Sequence, residues 1–216
     1  MKFNRGLLVS AAFMMIGVVV AAWLWPRLPA QVPSHWNVSG QVDGHMPRFW
    51  AAAFPSLSVL ALAVLTWLLP VISPNRFRIG PFVQVYMGLM LAIQGFVLVV
   101  GVCMLLAGAG YALPMPRIAM LGMGALMTVL GNYMGKLRRN FFIGIRTPWT
   151  LASEATWERT HRLGGKLFVL AGLFVLAGTA LGLGFWFGIA CILAAALIPV
   201  VYSFVIYRRV EGPPEA

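Results

Sequence analysis

The chain has 216 residues, of which 61% are hydrophobic and only 10% charged, and its mean hydropathy is +0.87. Soluble domains are about half apolar and about a quarter charged, and surface-to-volume scaling leaves a chain of this size no soluble core that could hide so much apolar surface. The formal charge of +11 does not mark a direct nucleic-acid binder, because the basic residues lie in short segments between long apolar runs rather than on one folded face.

A helix needs about 20 mainly apolar residues to cross the hydrocarbon of a bilayer. Six stretches meet that length in chain order: Leu7 to Trp25, Ala51 to Ile72, Pro81 to Ala107, Ile118 to Gly135, Leu167 to Gly184 and Phe185 to Tyr207. The last two are nearly one run, too long for a single crossing, and the tight turn between them is expected near Leu183 and Gly184. The predicted fold class is therefore all-α, a polytopic transmembrane bundle of six helices. Residues 1–116 read as one membrane module of three spans and residues 117–216 as a second.

Alternate loops differ sharply in charge. Lys2, Arg5, Arg76, Arg78, Lys136, Arg138, Arg139, Arg146, Arg159, Arg162, Lys166, Arg208 and Arg209 fall on one side, and only Arg27, Arg48 and Arg117 on the other. Thirteen against three predicts both termini in the cytoplasm, because basic loops stay inside. Val20-Ala21-Ala22 loosely resembles a signal-peptidase site; cleavage there would leave five spans, whereas Trp23 and Trp25 read as interfacial anchors of a retained one.

No Asp, Glu, Lys, Arg or His falls near the centre of any span, which argues against a proton relay or a charge-gated path. Gln94 is the most central strongly polar residue, and Gln84, Thr128, Asn132 and Thr179 are further polar candidates, read as interhelical hydrogen bonders. Small residues recur four apart at Gly124, Thr128 and Asn132, at Gly131 and Gly135, at Gly178 and Gly182, and at Gly184 and Gly188. Such sets bring helices close, within one chain or between copies of a homo-oligomer. Cys103 and Cys191 sit in apolar runs and belong to no metal or redox spacing.

The exported loop, Pro26 to Trp50, carries Pro26, Pro29, Pro33 and Pro47, which forbid a continuous helix. It is expected to be compact and irregular, with Asp43-Gly44 as a turn dipeptide. His35, Asp43 and His45 match no standard metal spacing. The readings are a structural loop or a contact surface for a partner or ligand, with no metal called.

The cytoplasmic loop runs from Lys136 to Lys166. Pro148 disfavours helix at Thr147, Thr150 or Ser153 can cap a short helix with Glu154 near its positive end, and Gly164-Gly165 can end that helix before the fifth span. Glu154, Trp157, Glu158, His161 and Arg162 follow helical spacing and are expected on one face. That face reads as an interfacial anchor, a partner or ligand surface, or a metal or proton-exchange site. No nucleophile or recognised metal spacing accompanies it, so no catalytic residue, metal or cofactor is called. The cluster Lys136, Arg138 and Arg139 should attract anionic lipid.

At these two loops the sequence resembles the SdpI family of bacterial membrane proteins, which includes an immunity protein against a secreted toxic peptide. The cytoplasmic resemblance rests on Gly131-Asn132-Tyr-Met-Gly-Lys, on Asn140-Phe-Phe-Ile-Gly-Ile-Arg-Thr-Pro-Trp-Thr-Leu-Ala-Ser-Glu, on Trp157 and on Thr160-His161-Arg162. The exported stretch from Leu28 to Gly44 resembles the module often found at the N-terminus of such proteins, with Trp36 where the pattern has Phe. The resemblance implies a multi-pass protein of the bacterial cell (inner) membrane that is not an enzyme, with Asn132, Gly144, Arg146, Thr147, Pro148, Trp149, Glu154, Trp157 and His161 as its cytoplasmic functional positions and Pro33, His35, Asn37, Gly40 and Asp43 as its exported ones. It also implies protection from a secreted antimicrobial peptide and, beyond the lipid bilayer and that peptide, a cytoplasmic repressor as partner. The competing readings are a membrane sensor or scaffold that binds a regulator or lipid, and a membrane enzyme or transporter using Glu154 with His161 or Gln94 with Asn132.

Overall fold

The computed structural model describes residues 3–212; Lys2, counted in the charge asymmetry, lies outside the described residues. Six helices of 20 residues or more are present among them: α1 (Phe3–Leu24), α2 (Arg48–Ile72), α3 (Val83–Gly108), α4 (Met115–Met134), α6 (Glu154–Ala180) and α7 (Phe185–Val210), with a short α5 (Pro148–Ala152) ahead of α6. All but α4 and α5 are long and apolar enough to cross a membrane. Helix α4 has the length but carries Arg117 near its start and Asn132 near its end. The chain is an all-α membrane bundle whose many large outward apolar side chains, such as Leu8, Leu173, Phe174 and Leu197, have lipid as their natural solvent. Pro55 and Pro70 within α2 and Pro199 within α7 are tolerated in such helices because neighbouring groups re-satisfy the freed backbone.

Small residues set the packing. A Cβ on Gly17 of α1 would press on Ser56 of α2, and one on Gly101 of α3 would lie 2.9 Å from the Pro55 ring. Helices α4 and α6 meet through glycine on both sides: a Cβ on Gly131 would sit 2.6 Å from the Gly165 carbonyl, and one on Gly165 would sit 2.7 Å from the Gly131 carbonyl. The expectation that Gly164-Gly165 ends a helix is thus overturned. Helix α6 runs unbroken through both, because close approach to α4 uses them and their propensity cost is outweighed by packing. The expected turn between the last two helices occurs at 181–184, where Gly182 (φ +74°) and Gly184 (φ +87°) adopt left-handed backbone. Gly182 and Gly184 are therefore turn residues, not members of a helix face.

The Pro-rich loop is not irregular, as its composition suggested. Strands β1 (Gln31–Trp36) and β2 (Val42–Pro47) pair antiparallel, with the reversal at 37–41: Asn37 Oδ1 accepts the backbone N–H groups of Ser39 and Gln41, each at 3.0 Å, and Gly40 takes φ +80°. Asp43-Gly44 lies within β2, not in the turn. Gly44 faces His35 across the pair, where a Cβ would stand 2.9 Å from the His35 Cβ. Prolines fit because a two-stranded hairpin is all edge, so a missing N–H costs little. Leu28 and Val32 fasten the hairpin to the bundle, buried with Leu24, Ala51, Met104, Leu105 and Met115.

The hairpin, the 109–114 link and the 181–184 turn share one end of the bundle. The 73–82 link, the 135–147 segment and α5 share the opposite, basic end.

Candidate functional site

At the basic end the segment after α4 folds around one amide. Asn140, fully buried, accepts the N–H groups of Phe142 and Ile143 at 2.9 and 2.7 Å and donates to the carbonyls of Arg138 and Ile143 at 3.0 and 2.9 Å. Sequence reasoning quoted Asn140 within the signature but assigned it no role. The cue was an Asn placed to bond its own backbone two and three residues on. Gly144 (φ +112°) then turns the chain against His161.

Helix α5 starts at Pro148 because Thr147 and Thr150 form a reciprocal capping box: Thr147 Oγ1 accepts the Thr150 N–H at 3.2 Å and Thr150 Oγ1 accepts the Thr147 N–H at 2.9 Å. Thr147, not Thr150, is the cap, while Ser153 caps α6 through the Thr156 N–H at 3.2 Å. Thr147 Oγ1 also bonds Ser203 Oγ of α7 at 3.0 Å, and Trp149 packs on Phe204 with ring centroids 5.0 Å apart. Arg139 donates to the carbonyls of Leu151 and Ala152, both at 3.2 Å, closing the end of α5.

The face expected to join Glu154, Trp157, Glu158, His161 and Arg162 is divided. Trp157 and His161 are buried; Glu154, Glu158 and Arg162 are exposed. Trp157 donates Nε1–H to the Leu137 carbonyl at 2.8 Å and stacks on His161 at 3.9 Å between centroids. His161 Nε2 accepts the Ile145 N–H at 3.0 Å, and Nδ1 donates to the Trp157 carbonyl at 2.9 Å. Both ring nitrogens are committed, which fixes a neutral imidazole carrying its proton on Nδ1. The burial thus separates the His161 ring from the exposed Glu154 and Glu158 carboxylates. Of the cytoplasmic functional positions, Asn132, Gly144, Arg146, Pro148 and Glu154 are exposed; Arg146 donates to the Phe141 carbonyl at 2.7 Å.

Inside the bundle Gln94 is fully buried and donates to Thr66 Oγ1 of α2 at 3.1 Å, while Tyr86 donates to the Thr66 carbonyl at 2.8 Å. This is the interhelical bonding expected of Gln94; Thr66 was missed. Asn132 is exposed near the end of α4 and takes no part in that bond. Thr128 donates to the Gly124 carbonyl of its own helix.

The other end of the bundle carries a hollow of its own. A cavity of about 630 Å³ opens beneath the hairpin. Phe54 of α2, Met104 of α3, Met115 of α4 and Phe185 of α7 form its apolar walls, and Ser34, His35, Asn37 and Asp43 stand at its mouth. His35 Nδ1 and Asp43 Oδ1 are 2.5 Å apart, both side chains well exposed. Of the exported candidates, His35, Asn37 and Asp43 meet at this mouth. Gly40 belongs to the turn, Pro33 pairs with His45 in the ladder, and His45 is exposed outside the set that lines the cavity. The wall residues were invisible as a set because they come from four different helices.

Residues 136–203 match the SdpI/YfhL protein family, and residues 12–59 match a domain of unknown function, DUF1648. Immunity protein SdpI of Bacillus subtilis (strain 168) is 31% identical over 115 residues, covering 50% of this chain and 53% of that protein. The chain thus spans about half the length of the curated relative it matches. No solved structure matches it.

Proposed function

We propose, from the match of residues 136–203 to the SdpI/YfhL protein family, that the chain is a toxin-immunity protein of the bacterial inner membrane, protecting the cell from a secreted antimicrobial peptide. In this reading six helices cross the bilayer, both ends face the cytoplasm, and the hairpin faces outward. The DUF1648-bearing half forms an outer binding module and the SdpI-type half a cytoplasmic one. The peptide is held without chemistry, by burial of apolar side chains in the cavity beneath the hairpin and by polar contacts at the His35–Asp43 mouth.

The observation that carries this is the cavity's make-up: apolar walls from four helices and a hydrogen-bonding rim. A membrane-active peptide is amphipathic and presents both kinds of surface, and sites of this type bind through apolar walls with a few placed polar groups. The test is survival. Expression of this chain in a peptide-sensitive strain should raise the killing concentration, and Asp43→Ala or a cavity-filling Met104→Trp should remove the gain while membrane levels hold. Unchanged killing curves across a panel of such peptides would refute it.

A second reading is favoured by the exposed residues of the basic end. Arg146 and Glu154 are the charged side chains among the exposed positions Asn132, Gly144, Arg146, Pro148 and Glu154, a pattern suited to capture of a cytoplasmic regulator such as a repressor. Pull-downs from membranes should then recover a partner that is lost on Arg146→Ala or Glu154→Ala; identical recoveries would dispose of it.

A further inference from the structure

Where α4 ends against α6, two hollows share Gly135 and Arg162 as common walls. The outer one, about 330 Å³, is bordered by Lys136, Arg138 and Glu158. The inner one, about 480 Å³, continues along the bundle over Gly131 and Gly165 to Val169 and Leu170, with Lys166 at its edge. The trough exists because both helices present glycine at their contact: the backbones touch, and no side chain fills the furrow beside them.

Its charge is lopsided. Lys136, Arg138, Arg162 and Lys166 are all exposed around it, against the single carboxylate Glu158. None of the four makes a salt bridge among the described residues. Lys136 instead holds its ammonium 5.1 Å from the Tyr133 ring centroid. Four solvated cations at one end and an apolar furrow at the other are the complement of a phospholipid, whose phosphate and acyl chains are joined in that order. A soluble phosphate would use only the outer hollow, and a neutral zwitterionic lipid would leave the excess positive charge unmatched.

We infer that the α4–α6 trough is a binding site for one anionic phospholipid, its phosphate among Lys136, Arg138, Arg162 and Lys166 and one acyl chain along Gly131, Gly165, Val169 and Leu170. Basic pockets between membrane helices recognise such head groups, each cation near the surface contributing about 1 kcal/mol. The site stands whether or not the chain confers immunity.

Native mass spectrometry of the full chain in detergent tests this, with phosphatidylglycerol, phosphatidylcholine of the same acyl chains, and glycerol 3-phosphate as probes. One phosphatidylglycerol per chain should be retained, at least about tenfold more tightly than phosphatidylcholine, with glycerol 3-phosphate a poor competitor. Arg162→Gln with Lys166→Gln should weaken phosphatidylglycerol about 30-fold, whereas Arg208→Gln with Arg209→Gln, at the end of α7, should not. All four positions are exposed, so the fold should persist, and thermal unfolding of each variant verifies that. Equal retention of the two lipids would overturn recognition of the charge. Equal affinities of the two double variants would overturn the location, and efficient displacement by glycerol 3-phosphate would replace the lipid with a free phosphate.

Discussion

Gly144 lies against the imidazole of His161, so close that a Cβ there would overlap Nε2, the atom that accepts the Ile145 N–H at 3.0 Å. Its φ of +112° is also one that side-chain-bearing residues avoid. Gly144→Ala should therefore destabilise the protein by about 2–4 kcal/mol, from left-handed strain and overpacking together. Unfolding in detergent measures it. His161→Ala in the same chain opens space beside the new methyl, so the double variant should lose less than the two single losses combined. Additive losses would mean that the two residues are not in the stated contact.

Trp157 carries the next contribution. Its indole N–H is the partner of the buried Leu137 carbonyl at 2.8 Å, within a cluster that includes Ile79, Phe82, Tyr86, Met87 and Met134. Trp157→Phe keeps most of the apolar volume but leaves that carbonyl without its donor, at a cost of about 1–3 kcal/mol. The same unfolding measurement should show the loss, and a stability equal to wild type would mean that the carbonyl finds another donor.

Glycines that look alike in the sequence should respond very differently. Gly131→Ala drives a methyl into the α6 backbone at Gly165, whereas Gly88, with nothing within 4 Å of a Cβ position, has room for one. The first should cost about 1–3 kcal/mol by overpacking and the second should be neutral or slightly stabilising, because alanine is the better helix former. Comparable effects at both sites would argue against direct α4–α6 backbone contact.

Hydropathy carried the bundle, because a long apolar run has few other uses, and it placed the last turn within two residues of Gly182 and Gly184. It failed on the Pro-rich loop. Strand pairing there depends on burying Leu28 and Val32 against Met104 and Leu105, contacts between segments some 75 residues apart in the chain. It also read Gly164-Gly165 by local propensity, where the deciding partner was Gly131 on another helix. In the signature segment, helical spacing put Glu154, Trp157 and His161 on one face but could not say which would be buried. That depended on the Leu137 carbonyl and the Ile145 N–H, supplied by a loop with no periodicity to read.

The placement of the hairpin and the signature on opposite sides of a membrane is open to a direct check. In a chain with Cys103 and Cys191 replaced by alanine, a cysteine at the exposed His45 of β2 and one at the exposed Glu158 of α6 each give a single thiol. An impermeant maleimide added to intact cells should label His45→Cys at once, and Glu158→Cys only after the membrane is opened. Both positions are exposed, so a failure to label cannot be put down to burial within the protein. The basic loops predict this direction, since Lys136, Arg138 and Arg162 gather at the Glu158 end while the hairpin end holds only Arg27, Arg48 and Arg117. Labelling of both thiols in intact cells would put the two loops on a common side. It would remove the outward cavity as a toxin site and the trough as a contact with the inner leaflet.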